Sequence, residues 1–411
     1  MSVSDTTTST LSIAKPPILL RAANRRGLLV LGLILLALFF LFASDQWLSI
    51  ANYAMIAAIA ALGLNVLAGY TGQISLGIAF FMAIGAYTAV WLGGDPTTTF
   101  FINARQVPAI GLGLSILIWL PASGIVAAIA GALIGPSALR LKGFYLGIVS
   151  LALIFIGRHI FVNAARLTGG PGGRTFPSPV FGSLDLSRQN DIFGIAVTSN
   201  QQFFLLLLPI LALAAIFVSN VMRSRAGRAF QAVRDNETGA AIMGVNILQA
   251  KMGAFILSSF LAGIAGALFA SYNEYVRPDY WSLVLSIEFV AAIIVGGIAS
   301  VWGSILGATF VFALPQIIDQ FNWLQQSSTS SGISSGDLNT ALYGLLIILF
   351  LLFEPGGILG LINRIQLLAR PLSNRMSKGG ESSGPDSEPG PPFEVESSTL
   401  SAGNGTSLLA G

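Results

Sequence analysis

Long apolar runs alternate with short polar links along most of the chain. Ten of them reach or approach the roughly 20 residues needed to cross about 30 Å of hydrocarbon as a helix. They fall at Gly27–Ala43, Ala51–Ala68, Ile74–Leu92, Pro108–Leu139, Phe144–Val162, Phe203–Val221, Met252–Ser271, Leu283–Ile298, Gly303–Ile318 and Asn339–Phe353. The pattern predicts an all-α fold, a polytopic membrane helical bundle of about ten transmembrane helices. The fourth run is long for one crossing and is expected to tilt or break near Pro121.

Composition agrees. Of 411 residues, 54% are hydrophobic and 9% charged, where soluble domains carry about a quarter charged. With no cysteine and a single histidine, His159, the chain excludes disulfides, thiolate nucleophiles and His-cluster metal sites. The pI near 9.3 could point to nucleic acid. The basic residues, however, lie in short clusters beside apolar runs, where control of topology explains them, so no nucleic-acid partner is expected.

Charge sets the orientation. With residues 1–26 in the cytoplasm, fifteen Lys and Arg side chains fall inside, including Arg21, Arg25, Arg140, Arg223, Arg234, Lys251 and Arg370. Five fall outside, Arg105, Arg166, Arg174, Arg188 and Arg277, and Arg158 lies within a span. That imbalance places both termini in the cytoplasm of a multi-pass membrane protein. A cleavable signal peptide is the rival reading of the first run, but such a region is usually shorter and Leu41 fits a small-residue cleavage site badly. Trp47, Trp91, Trp281 and Trp323 fall at the predicted outer boundary as an aromatic belt, whereas Trp119 and Trp302 read as packing residues. The predicted organisation is an N-terminal tail at 1–26, a transmembrane domain at 27–363 with outer loops at 163–202 and 319–338, and a Gly/Ser/Pro/Glu-rich disordered tail at 364–411.

Two stretches carry candidate function. The first is the charged island Met222 to Lys251, bracketed by apolar runs. In it, Asp235-Asn236-Glu237 can cap a short helix over Thr238 to Met243, which Gly244-Val245-Asn246 would end. Such a helix is a lever for another protein, or else an ordinary connecting loop. The second is Gly69-Tyr70-Thr71-Gly72-Gln73-Ile74-Ser75-Leu76-Gly77, a link short and glycine-rich enough to be a broken helix lining a substrate path, or a tight hairpin. Asn65 precedes it by about one turn. Glu288 is the only carboxylate in a predicted span, where burial costs about 2.5 to 3.5 kcal/mol, so it needs a partner, water or a function. Gly296-Gly297 and the Ala262–Ala267 stretch suit close helix packing. None of the four lysines follows a glycine, so no Walker A motif is present and any ATP must be hydrolysed by another chain. The glycines after Leu167-Thr168 read as a turn, with no strand and helix to make them a phosphate cradle.

Taken together, AALGLNVLAGYTGQISLG (Ala60 to Gly77), IGAY (Ile84 to Tyr87), LTGG (Leu167 to Gly170), GRAFQAVRDNETGAAIMGVN (Gly227 to Asn246) and IEFVAAIIVGGIASVWGSILGA (Ile287 to Ala308) resemble the permease subunits of ABC importers for branched-chain amino acids, the LivM-like branch, related to ribose and urea permeases. Ile78 departs from the pattern, since many members place a histidine after Ser-Leu-Gly. The resemblance implies a non-catalytic subunit of the bacterial inner membrane that works with cytoplasmic ABC ATPase subunits, a second permease subunit in a heterodimer and an extracytoplasmic solute-binding protein. It assigns Arg234, Asp235, Asn236, Glu237, Ala240 and Gly244 to ATPase coupling. Asn65, Gly69, Gly72, Gln73, Ser75, Gly77, Glu288, Gly296 and Gly297 stand as candidates for the substrate pathway. No catalytic residue, metal or cofactor is assigned. A permease for urea, short amides or another amino acid, and an ion-coupled secondary transporter, are the alternatives.

Overall fold

The computed structural model describes residues 40, 42–95, 99–102, 105–108, 111–138, 144–176, 180–181, 184–185, 190–192, 195–319 and a few positions between 341 and 360. Helix α1 (Asp45–Asn65) continues as a π-helical turn, Val66–Tyr70. It is followed by α2 (Ile78–Gly93), α3 (Ile116–Ala138), α4 (Phe144–Asn163) and the short α5 (Ala165–Thr168). Then come α6 (Ser199–Arg223), α7 (Arg225–Asp235), α8 (Glu237–Ile242), α9 (Ile247–Asn273), α10 (Leu283–Gly296) and α11 (Val301–Asp319). Among the described residues, seven helical segments are long and apolar enough to span a membrane, and α2 is a shorter apolar helix. The eight predicted runs from Ala51–Ala68 to Gly303–Ile318 are thus all helices. Both predicted tails lie outside the described residues, and of the runs Gly27–Ala43 and Asn339–Phe353 only scattered positions are described.

Two predicted boundaries move. The third run starts at Ile78, not Ile74, because Gly72 takes a φ of 68° and the chain through Gly77 is irregular. The fourth starts at Ile116, because Pro108 belongs to a hairpin in which Thr99–Ile102 pairs antiparallel with Arg105–Pro108. From there α3 runs through Pro121 without a break. Two further hairpins, Val180–Phe181 with Leu184–Asp185 and Asn190–Ile192 with Ile195–Val197, sit in the link between α5 and α6.

Helix α1 is apolar on all sides and is buried along Ala54–Val66, as such a helix must be to satisfy its neighbours rather than solvent. It packs against α6, α9 and α11. Helix α9 is the second pillar, and its glycines set the distances. A Cβ on Gly266 would stand 1.9 Å from the Met82 carbonyl oxygen, and one on Gly85 would stand 2.0 Å from the Gly263 carbonyl oxygen, so α2 and α9 touch backbone to backbone. Gly263 is closed on its other side by Ala127 and the Ser123 carbonyl of α3. The α10–α11 pair repeats the device, with Gly296 against the Gly303 carbonyl and Gly307 against that of Ala292.

At the end of the bundle away from the charged island, the Leu167–Gly173 glycines form the expected turn. Gly169, Gly170 and Gly173 all have positive φ, and Arg174–Thr175 then pairs antiparallel with Tyr275–Val276 after α9. Phe176 meets Trp119 edge to face at 5.4 Å, so Trp119 is the packing residue expected of it. Trp281 and Trp302 depart from expectation. Trp281 is buried against Phe269 because it sits beneath the turn into α10, and Trp302 is exposed at the start of α11.

Replacing Gly266 by valine should force α2 and α9 apart. It is expected to cost about 3 kcal/mol and to lower the unfolding temperature in detergent, whereas Gly172→Ala, whose Cβ meets nothing within 4 Å, should leave it unchanged.

Candidate functional site

The charged island folds as three joined pieces. Helix α7 is amphipathic, turning Phe230 and Val233 inward, and Gly227 lets it start hard against the Met222 backbone. Asn236 leaves the helical region and its Oδ1 accepts the Gly239 amide at 3.0 Å, which starts α8. Gly244, at φ 82°, ends it, and Asn246 caps α9 by accepting the Gln249 amide at 3.0 Å. The short capped helix expected from the sequence is therefore present, with Asn236 as the cap.

The two acidic neighbours of that cap have other partners. Glu237 meets Lys251 at 2.6 Å, with the lysine side chain 10% and the glutamate 42% exposed. This ties α8 to the first turns of α9. Asp235 accepts from Nε and Nη2 of Arg234, each at 3.0 Å. The remaining Arg234 nitrogen, Nη1, donates to the Gly69 carbonyl at 3.3 Å, and the arginine stem lies over Gly72. Ala240 is buried on the inner face of α8, while Ile242 and Met243 at its tip are 83% and 86% exposed.

The Gly69–Gly77 link stands directly beneath. Thr71 donates its hydroxyl to the Leu67 carbonyl, and the Gln73 side-chain amide reaches Thr71 Oγ1 at 3.1 Å and the Lys251 carbonyl at 3.4 Å. Gln73 Oε1 is buried and unpaired. The link's amides find hydroxyls: Leu76 donates to Ser150 Oγ at 2.8 Å, Gly77 to Ser75 Oγ at 3.3 Å, and Ala79 to Ser286 Oγ at 3.3 Å. Asn65 bridges to the turn between α10 and α11. Its Oδ1 accepts the Ala299 amide at 2.9 Å and its Nδ2 donates to the Ser300 carbonyl at 3.0 Å. Gly297, at φ 116°, opens that turn.

Two groups of residues that the sequence presented separately are thus one assembly. Arg234, Asn65, Gly69, Gly72, Gln73, Ser75, Gly77 and Gly297 gather at the break in the helices. Glu288 and Gly296 do not join it. Glu288 is half-buried on α10 with no hydrogen-bond or ion-pair partner among the described residues, and Gly296 serves the crossing with α11. Lys251, Ser150, Ser286, Ser300 and the Ile242–Met243 tip were missed. A lysine at the very edge of an apolar run and two adjacent bulky apolar residues at the end of a short capped helix are the available signals; single serines in apolar helices give none.

At the far end of α2, Ile84, Tyr87, Trp91, Phe161 and Leu167 line an apolar cavity of about 450 Å³ toward α4. There Arg158 pairs with Asp279 at 2.7 Å, both half-exposed. Among the described residues, no group of three His, Asp or Glu side chains could hold a metal ion.

A polytopic bundle with broken helices at its core and a capped lever at one end defines a membrane transport subunit. The chain belongs to the family described as branched-chain amino acid transport system, permease component, which it matches over residues 46–351. It is 30% identical over 386 residues to the high-affinity branched-chain amino acid transport system permease protein LivM of Escherichia coli K12, covering 90% of this chain and 83% of that protein. It is 24% identical over 328 residues to the permease protein LivH of Salmonella typhimurium, covering 78% and 96%. It is also 29% identical over 221 residues to the autoinducer 2 import system permease protein LsrC of an Enterobacter species, covering 52% and 60%. No solved structure matches the chain.

The Glu237–Lys251 pair makes an asymmetric prediction. Glu237→Ala strands an ammonium that is nearly buried, whereas Lys251→Met leaves a carboxylate that solvent still reaches. The glutamate change should be the more destabilising by about 2 kcal/mol, read from thermal unfolding of the two variants in detergent.

Proposed function

We propose that this chain is the transmembrane permease subunit of an ATP-driven ABC importer that moves branched-chain amino acids delivered by an extracytoplasmic solute-binding protein. The observation that carries the reading is the tip of α8. Ile242 and Met243 stand almost fully exposed on a short helix capped by Asn236 and braced by the Glu237–Lys251 pair. Bulky apolar side chains held out on a rigid lever are what a docking ATPase needs as anchors. The positive-inside bias puts that lever in the cytoplasm, with both termini on the same side.

ATP hydrolysis belongs to the partner chains, because this one carries no phosphate-binding loop. Energy enters only if the ATPases grip α8 differently in their ATP-bound and empty states, since equal affinity for both would shift nothing. Arg234, Asp235, Asn236, Glu237 and Gly244 shape and hold the lever, and Ala240 seats it on the bundle. The link from Gly69 to Gly77 is the part of the passage nearest to it. The similarity to both LivM and LivH supports a heterodimer of two related permeases, and the names of these relatives support a branched aliphatic amino acid as the cargo.

Met243→Asp places a charge at the centre of the docking surface. It should lower ATP-dependent uptake of leucine in reconstituted vesicles by about tenfold or more and reduce copurification of the ATPases, with membrane insertion unchanged. Full uptake by this variant would remove α8 as the docking element. Uptake driven by an ion gradient in the absence of any ATPase would remove the importer reading itself.

A further inference from the structure

The assembly around Asn65 assigns that side chain a task other than lining a path. Asn65 is 1% exposed, and both of its amide atoms are bonded across more than 230 residues to the Ala299 amide and the Ser300 carbonyl. A ligand could use it only by breaking that clasp. Ala299 itself stands at φ 59°, a left-handed conformation that L-residues other than glycine, asparagine and aspartate rarely adopt. The clasped amide is therefore that of the strained residue.

One turn further on, Gly69 lies against both atoms of the Asn65–Ala299 hydrogen bond. A Cβ there would overlap Asn65 Oδ1 at 1.9 Å and meet the Ala299 nitrogen at 2.7 Å. Gly69 is also the residue whose carbonyl Arg234 holds, and it lies inside the π-helical turn Val66–Tyr70. A π-turn carries one residue more than an α-helical turn needs. It can pass that residue along the helix and shift its end without unfolding, and such turns are frequent at functional sites.

We propose that Asn65 is a positioning residue that ties the π-turn of α1 to the Gly297–Ser300 turn. A stroke on α8, carried by Arg234 to Gly69, then moves the junction of α10 and α11. The proposal rests on the importer reading above and names the route by which the lever reaches the passage. The two contacts are in series. Arg234 links the island to the end of α1, and Asn65 links the end of α1 to a turn strained at Ala299.

The chain has no native cysteine, so introduced thiols report without background. Spin labels at Ile298→Cys and at Thr238→Cys, the latter on α8 but not one of its two apolar anchors, are each paired with a label at Ile125→Cys on α3, and all three positions are exposed. In the complex with its ATPases, trapping the ATP-bound state should change both distances. With Asn65→Ala added, the 238 distance should still change and the 298 distance should not, while ATP hydrolysis continues and uptake falls about tenfold or more. Retained movement at 238 shows that the variant is folded and docked. Ala299→Gly provides an independent arm. Glycine relieves the left-handed strain, so the resting turn should be favoured by up to about tenfold and uptake should slow, with the clasp intact.

Movement at 298 that persists in Asn65→Ala, or a 298 distance that never changes in the parent protein, overturns the proposal. A 238 label that does not respond to ATP in the parent protein overturns the importer reading instead, and this proposal falls with it.

Discussion

The structure depends on one constraint: backbone that leaves the helix inside a bilayer must have its amides and carbonyls met by the protein itself, because lipid offers nothing. Helix α2, at 16 residues, is shorter than the roughly 20 that cross the hydrocarbon, and α10, at 14, reaches spanning length only with the 3-10 turn Pro278–Tyr280 that precedes it. Irregular chain adjoins them at Thr71–Gly77 and at Gly297–Ser300. Both pieces are satisfied from elsewhere in the fold. Ser150 of α4 takes an amide of the first, Ser286 of α10 takes the Ala79 amide in the helix turn that follows it, and Asn65 of α1 takes an amide and a carbonyl of the second. Three helices thus spend polar side chains on making the breaks tolerable.

Close packing is the companion of that arrangement. Serine hydroxyls are short and can reach a neighbour's backbone only where helices approach tightly. The glycines at 85, 263 and 266 bring α2 and α9 into backbone contact, and those at 296, 303 and 307 do so for α10 and α11. Dispersion gained over such contacts substitutes for the hydrophobic drive that lipid removes.

Much of this was legible before any coordinates. The eight described spans follow from apolar run length alone, and the cap at Asn236 and the stop at Gly244 follow from residue types that satisfy helix ends. The errors share a physical cause. Hydropathy is blind to backbone conformation, so Ile74-Ser75-Leu76 was counted into a helix that begins at Ile78, and Pro108 into one that begins at Ile116. The unity of the site was hidden for a different reason. Gly69 and Arg234 lie 165 residues apart, and Asn65 and Ala299 lie 234 apart. No periodicity or spacing in one sequence encodes such pairs. Glu288 drew notice as an isolated charge, yet charge alone did not locate it relative to the break, and the structure leaves it outside the hydrogen-bonded assembly.

The way the break is satisfied also bears on how strongly this subunit can hold its cargo. A glycine-rich link looks like a row of free amides ready for a carboxylate. Here the amides of Leu76, Gly77 and Ala79 are already bonded to hydroxyls, and Asn65 has no free atom. Binding there would exchange existing hydrogen bonds for new ones, and such exchanges yield little net free energy.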